Sequence, residues 1–267
     1  MAGGKFPAEK YMQAQKKIEE EVVEDKLQVS LSRLQAFYGD LDGNALLRVM
    51  IREEFPGRVA LFSSFGADSA LLISMVAEVD KNIPVLFLET GKHFQETLDY
   101  VEELKKYFGL TDVRFIRPDP ALVLNVDPTG ELWKTGVNRC CWLRKVEPLA
   151  RSLKEWGFTA VITGRKRYQT EDRQNLQAIE LDEDNRFRIN PFANMSKEEF
   201  KAELKAQNLP QHPLVAKGYL SIGCAPCTVA VKPGEDERAG RWAHAIDMQG
   251  KQKTECGIHV PQQDWEV

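Results

Sequence analysis

Arg58-Val59-Ala60-Leu61-Phe62-Ser63, then Ser64-Phe65-Gly66-Ala67-Asp68-Ser69, then Ala70-Leu71-Leu72-Ile73-Ser74-Met75-Val76 read in turn as strand, small-residue loop and helix. The first run is short and apolar, as suits a buried strand of a parallel sheet. The loop behind it can turn backbone N–H groups and the positive end of the helix dipole toward an anion. Taken alone, the same residues also describe a capped helix start, with Asp68 or Ser69 as the cap. The lysine and spacing of a G-x-x-x-x-G-K-[ST] loop are absent, which argues against a Walker-type nucleotide hydrolase.

The unit repeats outward from this point. Ile83 to Leu88 reads as a second strand ending in Glu89-Thr90-Gly91-Lys92-His93, and Phe94 to Phe108 as an amphipathic helix with Leu98, Val101, Leu104 and Phe108 on one side. Asp112 to Arg117 is a third strand. Helical Lys145 to Trp156 leads to a fourth, Phe158 to Thr163, after which Gly164 opens a basic loop. Such alternation predicts an α/β fold of Rossmann-like type, a mostly parallel sheet with helices on both faces and ligands beyond the carboxyl ends of its strands. Ala178 to Leu181 and Arg186 to Ile189 flank Asp182-Glu183-Asp184-Asn185 and read as a surface hairpin, and Ser196-Lys197-Glu198-Glu199 is a capping box opening a helix to about Asn208. Upstream, residues 8–37 are charged and helix-prone, and Glu19-Glu20-Glu21 reads as a solvated face. The expected organisation is a helical extension over 1–50, an α/β domain over 51–248 and a mobile tail over 249–267.

Five cysteines stand out. Cys224-Ala225-Pro226-Cys227 brings two sulfurs to one soft metal centre, the proline suiting a tight turn. Cys140 and Cys141 are adjacent. Neighbouring residues rarely both reach one tetrahedral zinc, whereas a cluster of several irons accepts one thiolate per iron, so the quartet favours iron–sulfur over zinc. Cys256, in Glu255-Cys256-Gly257-Ile258-His259, is a candidate nucleophile beside a histidine. The polar start Met1-Ala2-Gly3-Gly4-Lys5 lacks a signal-peptide apolar region and no run approaches a membrane span, so a cytoplasmic protein without membrane partners is expected. In a reducing compartment these thiols suit metal binding and thiol chemistry rather than disulfides.

The formal net charge of −4 argues against bulk nucleic-acid affinity and leaves an anionic small substrate open where cations are gathered locally. They gather at Gly164-Arg165-Lys166-Arg167, with Arg173 beyond, and at Arg238-Ala239-Gly240-Arg241-Trp242. Read alone, the first run is more often a solvated loop, but at a strand's carboxyl end it suits an oxyanion, which Arg grips bidentately. Lys145 suits neutralising a thiolate-rich cluster. His212 and His244 read as structural or surface residues, while His259, three residues from Cys256, reads equally as a chance neighbour or as a group that orients a substrate or lowers the Cys256 pKa.

These residues together resemble the assimilatory adenylyl-sulfate reductases, which are similar to phosphoadenylyl-sulfate reductases and share the fold of adenine nucleotide alpha-hydrolases. The resemblance runs from about Val59 to His259. It rests on Ser64-Phe65-Gly66, Leu88-Glu89-Thr90-Gly91, Cys140-Cys141-x-x-Arg144-Lys145, Gly164-Arg165-Lys166-Arg167, Cys224-Ala225-Pro226-Cys227, Arg238-x-x-Arg241 and Glu255-Cys256-Gly257-Ile258-His259. The chain departs from the family pattern at Glu89, where Asp is commoner, at Val229, often basic, and at Ala243 after Trp242.

The resemblance implies one 4Fe-4S cluster on Cys140, Cys141, Cys224 and Cys227, with Cys256 as catalytic nucleophile. It implies that Ser64, Phe65, Gly66 and Ser69, with Leu88, Glu89, Thr90 and Gly91, hold adenosine and its phosphate. Lys145, Arg165, Arg167, Arg238, Arg241 and His259 would then face the phosphosulfate. The implied reaction is thiol-dependent reduction of adenosine 5′-phosphosulfate to sulfite and AMP through an S-sulfocysteine, within sulfate assimilation for cysteine biosynthesis. Thioredoxin or a similar thiol would be the partner, and a homo-oligomer is left open. Three rivals remain at this level: a phosphoadenylyl-sulfate or dual reductase, a tRNA-thiolating ATP pyrophosphatase, and a structural zinc module.

Overall fold

The computed structural model of the chain describes residues 8–242 and, beyond them, positions 253, 255, 256 and 258. Helices α1 (Ala8–Tyr38) and α2 (Gly43–Val49) lead into β1 (Val59–Phe62), α3 (Ser69–Asp80), β2 (Val85–Leu88), α4 (Gln95–Phe108) and β3 (Val113–Ile116). Three short helices follow, α5 (Pro120–Val126), α6 (Leu132–Thr135) and α7 (Val137–Cys141), then a π-helical turn (Trp142–Val146) and α8 (Glu147–Trp156). β4 (Ala160–Ile162), β5 (Ile179–Leu181), β6 (Phe187–Ile189) and α9 (Lys197–Ala206) complete the regular elements. Among the described residues no helix is long and apolar enough to cross a membrane.

The strands form one sheet in the order β3-β2-β1-β4-β6-β5, parallel throughout except where β5 runs against β6. Alternate strand residues serve opposite faces. Val59 and Leu61 of β1, Val85 and Phe87 of β2, and Ala160 and Ile162 of β4 join one core with α2, α3, α4 and α9. Ala60, Leu86, Leu88 and Val161 join a second core against Leu153 of α8 and Phe158. With both faces covered, these strands read as continuous apolar runs, and the expected α/β fold is observed.

Two parts of the sequence reading change. The segment 179–189 is the expected antiparallel hairpin, but it extends the main sheet instead of lying on the surface, since β6 pairs with β4 in the register Ala160↔Phe187 and Ile162↔Ile189 and leaves β5 at the edge. Its polar turn dominates the local pattern, but Ile179, Phe187 and Ile189 are buried in the first core. α1 covers this edge, with Gln35 Nε2 donating to the Ile179 carbonyl at 2.9 Å. Moreover, the helical segment at the start shares the main core, to which Leu34, Leu46, Leu47 and Met50 all belong.

His212 also has partners that its sequence context conceals. It is buried, its Nε2 lies 3.0 Å from Thr97 Oγ1, and its Nδ1 accepts from Leu214 N–H at 3.2 Å. Burial pulls its pKa down to about 4 against a small opposing pull from Glu96. The unfolded chain therefore binds a proton that the folded chain refuses between pH ~6.5 and ~4, and stability falls as pH falls through that window. In His212→Gln, the part of the acid slope lost should amount to roughly 2–3 kcal/mol, read from urea unfolding at pH 7.5 and 4.5.

Candidate functional site

The chain builds β1, β2 and β3 in one direction and then returns to place β4 on the other side of β1. Ligands of open α/β sheets bind outside the carboxyl ends at such a reversal. An open cleft lies there between the loops after β1 and β4. In the first loop, Phe65 takes φ +47, is fully buried and packs edge-on against Phe87 at 5.4 Å, pinning the turn to the core. A bulky residue in the left-handed region costs on the order of 1–2 kcal/mol, and such strain is concentrated at functional sites. Ser69 Oγ accepts from Gly66 N–H at 2.8 Å, while Asp68, at the N-cap position, makes no side-chain cap and instead pairs with Lys166 Nζ at 2.7 Å. Ser64, Gly66, Ser69 and Leu88 line the cleft.

Beneath one end of this cleft the four cysteines Cys140, Cys141, Cys224 and Cys227 line a common pocket with Lys92, Arg144, Lys145 and Arg241. All four are free thiols. Burial raises the pKa of Cys140, with Cys224 adding to it, and pushes Cys227 up to about 11. Among the described residues no three His, Cys, Asp or Glu side chains close on a single ion. The surrounding cations are what a thiolate-rich group requires, so the residues present fit an iron–sulfur cluster.

The pocket is held from outside by one buried ion pair. Arg144 donates to Asp127 Oδ2 at 2.7 Å and to the Thr90 carbonyl at 2.9 Å, and Asp127 also accepts from Leu132 N–H at 2.9 Å. Burial raises the Asp127 pKa, but the Arg144 and Leu132 hydrogen bonds outweigh it and leave the carboxyl below its ordinary value. Asp127→Ala strands a buried guanidinium, so unfolding in urea should show a loss of about 3–5 kcal/mol. Thr90 also links this brace to the second cysteine pair, its Oγ1 lying 3.4 Å from Cys224 Sγ, and Lys92 C=O accepts from Ala225 N–H at 2.7 Å. Trp242 closes the floor at φ +49, buried, with the Arg241 guanidinium 4.3 Å over its ring. Gly223 lies so close to Arg241 that a Cβ there would overlap the guanidinium.

Cys256 lies where cleft and cysteine pocket meet. Its Sγ is 3.8 Å from Lys145 Nζ, and Cys141 and Lys145, four residues apart, share the helical face beneath it. Burial opposes the Lys145 ammonium, but the sulfurs of Cys224, Cys256 and Cys141 raise its pKa above that of an ordinary lysine. A hydrogen bond from the Cys141 thiol outweighs the cost of burying Cys256. Lys145, Ile258 N–H and Arg241 add to it and hold the Cys256 pKa well below that of a free thiol. Residues 249–267 show little in sequence to anchor them, and the anchors come from elsewhere in the chain. Lys253 Nζ donates to Asn138 Oδ1 at 2.7 Å, Glu255 is buried against Arg173, and Ile258 packs on the second core while its carbonyl accepts from Arg188 at 3.4 Å.

Not every residue expected at the substrate reaches the cleft. Lys145, Arg165, Arg238 and Arg241 line it. Arg165, however, is buried against Glu180, with Thr163 Oγ1 and Asn190 Oδ1 each at 3.3 Å. Arg167 turns to the Leu176 carbonyl at 2.7 Å and Asn194 Oδ1 at 3.1 Å, away from the cleft wall. Phe65 faces the core. Glu89 pairs with Arg117 and accepts from Gly91 N–H, and Thr90 serves the cysteine loop, so of the segment 88–91 only Leu88 lines the cleft. His259 and His244 lie outside the described residues. The sequence reading missed the Asp127–Arg144 brace, the Lys166–Asp68 pair and the seat of Glu255. No local pattern marks these, because each joins residues distant in sequence.

Residues 58–230 match the phosphoadenosine phosphosulfate reductase domain. The chain is 46% identical over 237 residues to the adenosine 5′-phosphosulfate reductase of Mesorhizobium japonicum, covering 89% of this chain and 90% of that one. It is 36% identical over 204 residues to adenosine 5′-phosphosulfate reductase 2 of Bacillus subtilis, covering 76% and 83%. Among solved structures, the phosphoadenylyl-sulfate reductase of Candida auris in a phosphate complex superposes with a TM-score of 0.62 at 27% identity, covering 74% of this chain and 96% of that one. The Candida glabrata FMN adenylyltransferase with FAD and pyrophosphate, at 15% identity and a TM-score of 0.51 over 82% and 76%, shares the fold.

Proposed function

Since this chain belongs to the phosphoadenosine phosphosulfate reductase family, we propose that it reduces adenosine 5′-phosphosulfate to sulfite and AMP, with Cys256 as nucleophile and a dithiol reductant of the thioredoxin kind. One observation carries this reading: the Cys256 sulfur sits inside the nucleotide cleft, 3.8 Å from the Lys145 ammonium and above four further free cysteines. The named activity of the Mesorhizobium and Bacillus relatives supports the substrate.

In this reading the loop 64–69 and Leu88 receive the nucleotide, and Lys145, Arg238 and Arg241 face the phosphosulfate. The Cys256 thiolate attacks the sulfate sulfur. A sulfur–sulfur bond forms as the sulfur–oxygen bond to the phosphate breaks, and AMP leaves with that electron pair. Developing charge on the leaving oxygen is what the gathered cations stabilise, and the Lys145 ammonium, 3.8 Å from Cys256 Sγ, favours the thiolate over the thiol. A thiolate of the reductant then attacks Cys256 Sγ, sulfite departs with the sulfur–sulfur bonding pair, and the reductant's second thiol resolves the mixed disulfide, so both electrons come from the dithiol.

Cys140, Cys141, Cys224 and Cys227 would hold a 4Fe-4S cluster. When bound, that group supplies a fixed negative centre that orients Lys145 and shapes the field around the sulfate. A cytoplasmic, reducing setting suits both the free thiols and the reductant. The test is anaerobic purification with iron and sulfide counts, followed by sulfite release from adenosine 5′-phosphosulfate and from its 3′-phosphorylated counterpart with thioredoxin present. A protein with about four irons that prefers the former substrate is the expected result. A colourless zinc protein that releases no sulfite would overturn it.

A further inference from the structure

We propose that Glu255 is the latch that seats the nucleophile: its carboxylate docks the tail into a socket formed by Arg173, Thr170 and Arg238, and so positions Cys256 beside Lys145. The inference rests on the reading of Cys256 as nucleophile and assigns to its neighbour a positioning role.

A surface glutamate in a chain terminus normally stays in water, because burying a carboxylate costs several kcal/mol unless it is paired and hydrogen-bonded. Glu255 is nonetheless 5% exposed. Both oxygens are engaged. Arg173 Nε donates to Oε1 at 2.6 Å and Nη2 to Oε2 at 2.7 Å, the bidentate fork that a carboxylate accepts best. Thr170 Oγ1 donates to Oε1 at 3.0 Å, and Arg238 Nη2 stands 3.9 Å from Oε2. Arg173 is itself buried and steadied by Gln169 Oε1. The donors of the socket thus match one carboxylate.

Its position gives the latch its consequence. Thr170 and Arg173 lie on the loop after β4, and Arg173 lines the cleft together with Lys145 and Arg238. One residue beyond Glu255, the Cys256 sulfur reaches Lys145, and two residues further Ile258 packs on the second core. The nucleophile is thus held between a charged anchor on one side and an apolar anchor on the other, which fixes its approach to a bound substrate. The docked carboxylate also balances the buried Arg173 charge at the cleft wall.

The experiment compares the holoenzyme with Glu255→Gln, Arg173→Gln, the double variant and Glu255→Asp. Three quantities are followed: hydrogen exchange of the peptide spanning 253–258, AMP affinity, and the single-turnover rate at which adenosine 5′-phosphosulfate sulfonates Cys256 without reductant. Each single Gln variant should lose exchange protection in that peptide alone and slow sulfonation about tenfold or more, with AMP affinity within about twofold. The double variant should be no slower than either single one, since both remove the same contact, and Glu255→Asp should recover part of the rate. Unchanged tail protection in both single variants, a wild-type tail that exchanges freely, or wild-type sulfonation from an unprotected tail would each overturn the latch. A wild-type enzyme that leaves Cys256 unsulfonated would overturn the proposed reaction instead, while the exchange data would still decide the docking.

Discussion

Cys256→Ser is expected to abolish sulfite release while AMP binding stays within about twofold of wild type, because the side chain shrinks by little and none of the nucleotide-binding loops is touched. A serine hydroxyl at this site has neither the acidity nor the polarisability of the thiol. The Lys145 and Arg241 charges that favour a thiolate here do not bring a hydroxyl into the same range. Removing a nucleophile costs on the order of 10⁴-fold or more in rate, which takes turnover to background. The measurement is sulfite release under saturating reductant, with mass spectrometry of the intact chain after exposure to substrate alone. Wild type should gain one sulfonate on Cys256, and the variant none. Sustained turnover by the variant would remove Cys256 from the mechanism.

Lys145→Ala should have the second largest effect, a fall of about 10²–10³-fold in the single-turnover sulfonation rate. The ammonium lies 3.8 Å from the Cys256 sulfur and lines both the cleft and the cysteine pocket, so one charge faces both. Its removal takes away a preorganised cation where negative charge develops, in a partly buried site where water replaces it poorly. Iron content measured alongside separates the two ways of losing rate. Retained iron with slow sulfonation shows that the ammonium acts on the reaction, and an intact cluster with wild-type sulfonation would show that Lys145 serves the pocket alone.

Much of this architecture is legible in the sequence because the relevant signals are local. Val59-Ala60-Leu61-Phe62 and Val85-Leu86-Phe87-Leu88 are apolar without alternation because both faces of those strands are covered, and burial of alternate residues in two different cores leaves no other pattern. The capping box is equally local: Ser196 Oγ accepts from Glu199 N–H at 3.2 Å, and the Glu199 carboxylate accepts from Ser196 N–H at 2.8 Å. Where local and tertiary signals compete, the tertiary one wins. The polar turn 182–185 announces a surface hairpin, but parallel pairing with β4 buries Phe187 and Ile189 in the sheet.

By itself, then, the sequence determined the alternation of strands and helices, the loop that opens α3, and the inventory of thiols and cations available for chemistry. Tertiary structure alone decided which of them work together. Lys145 meets Cys256 across 111 residues, Thr90 meets Cys224 across 134, and Arg173 grips Glu255 across 82. The same folding withdraws Arg165 to Glu180 and Arg167 to Leu176, although their run looks as basic as any substrate-binding loop. Periodicity and capping depend on neighbours a few residues away. The pairing of charges depends on strand order and on where each loop leaves the sheet, and a buried charge takes whichever partner the packing brings within reach.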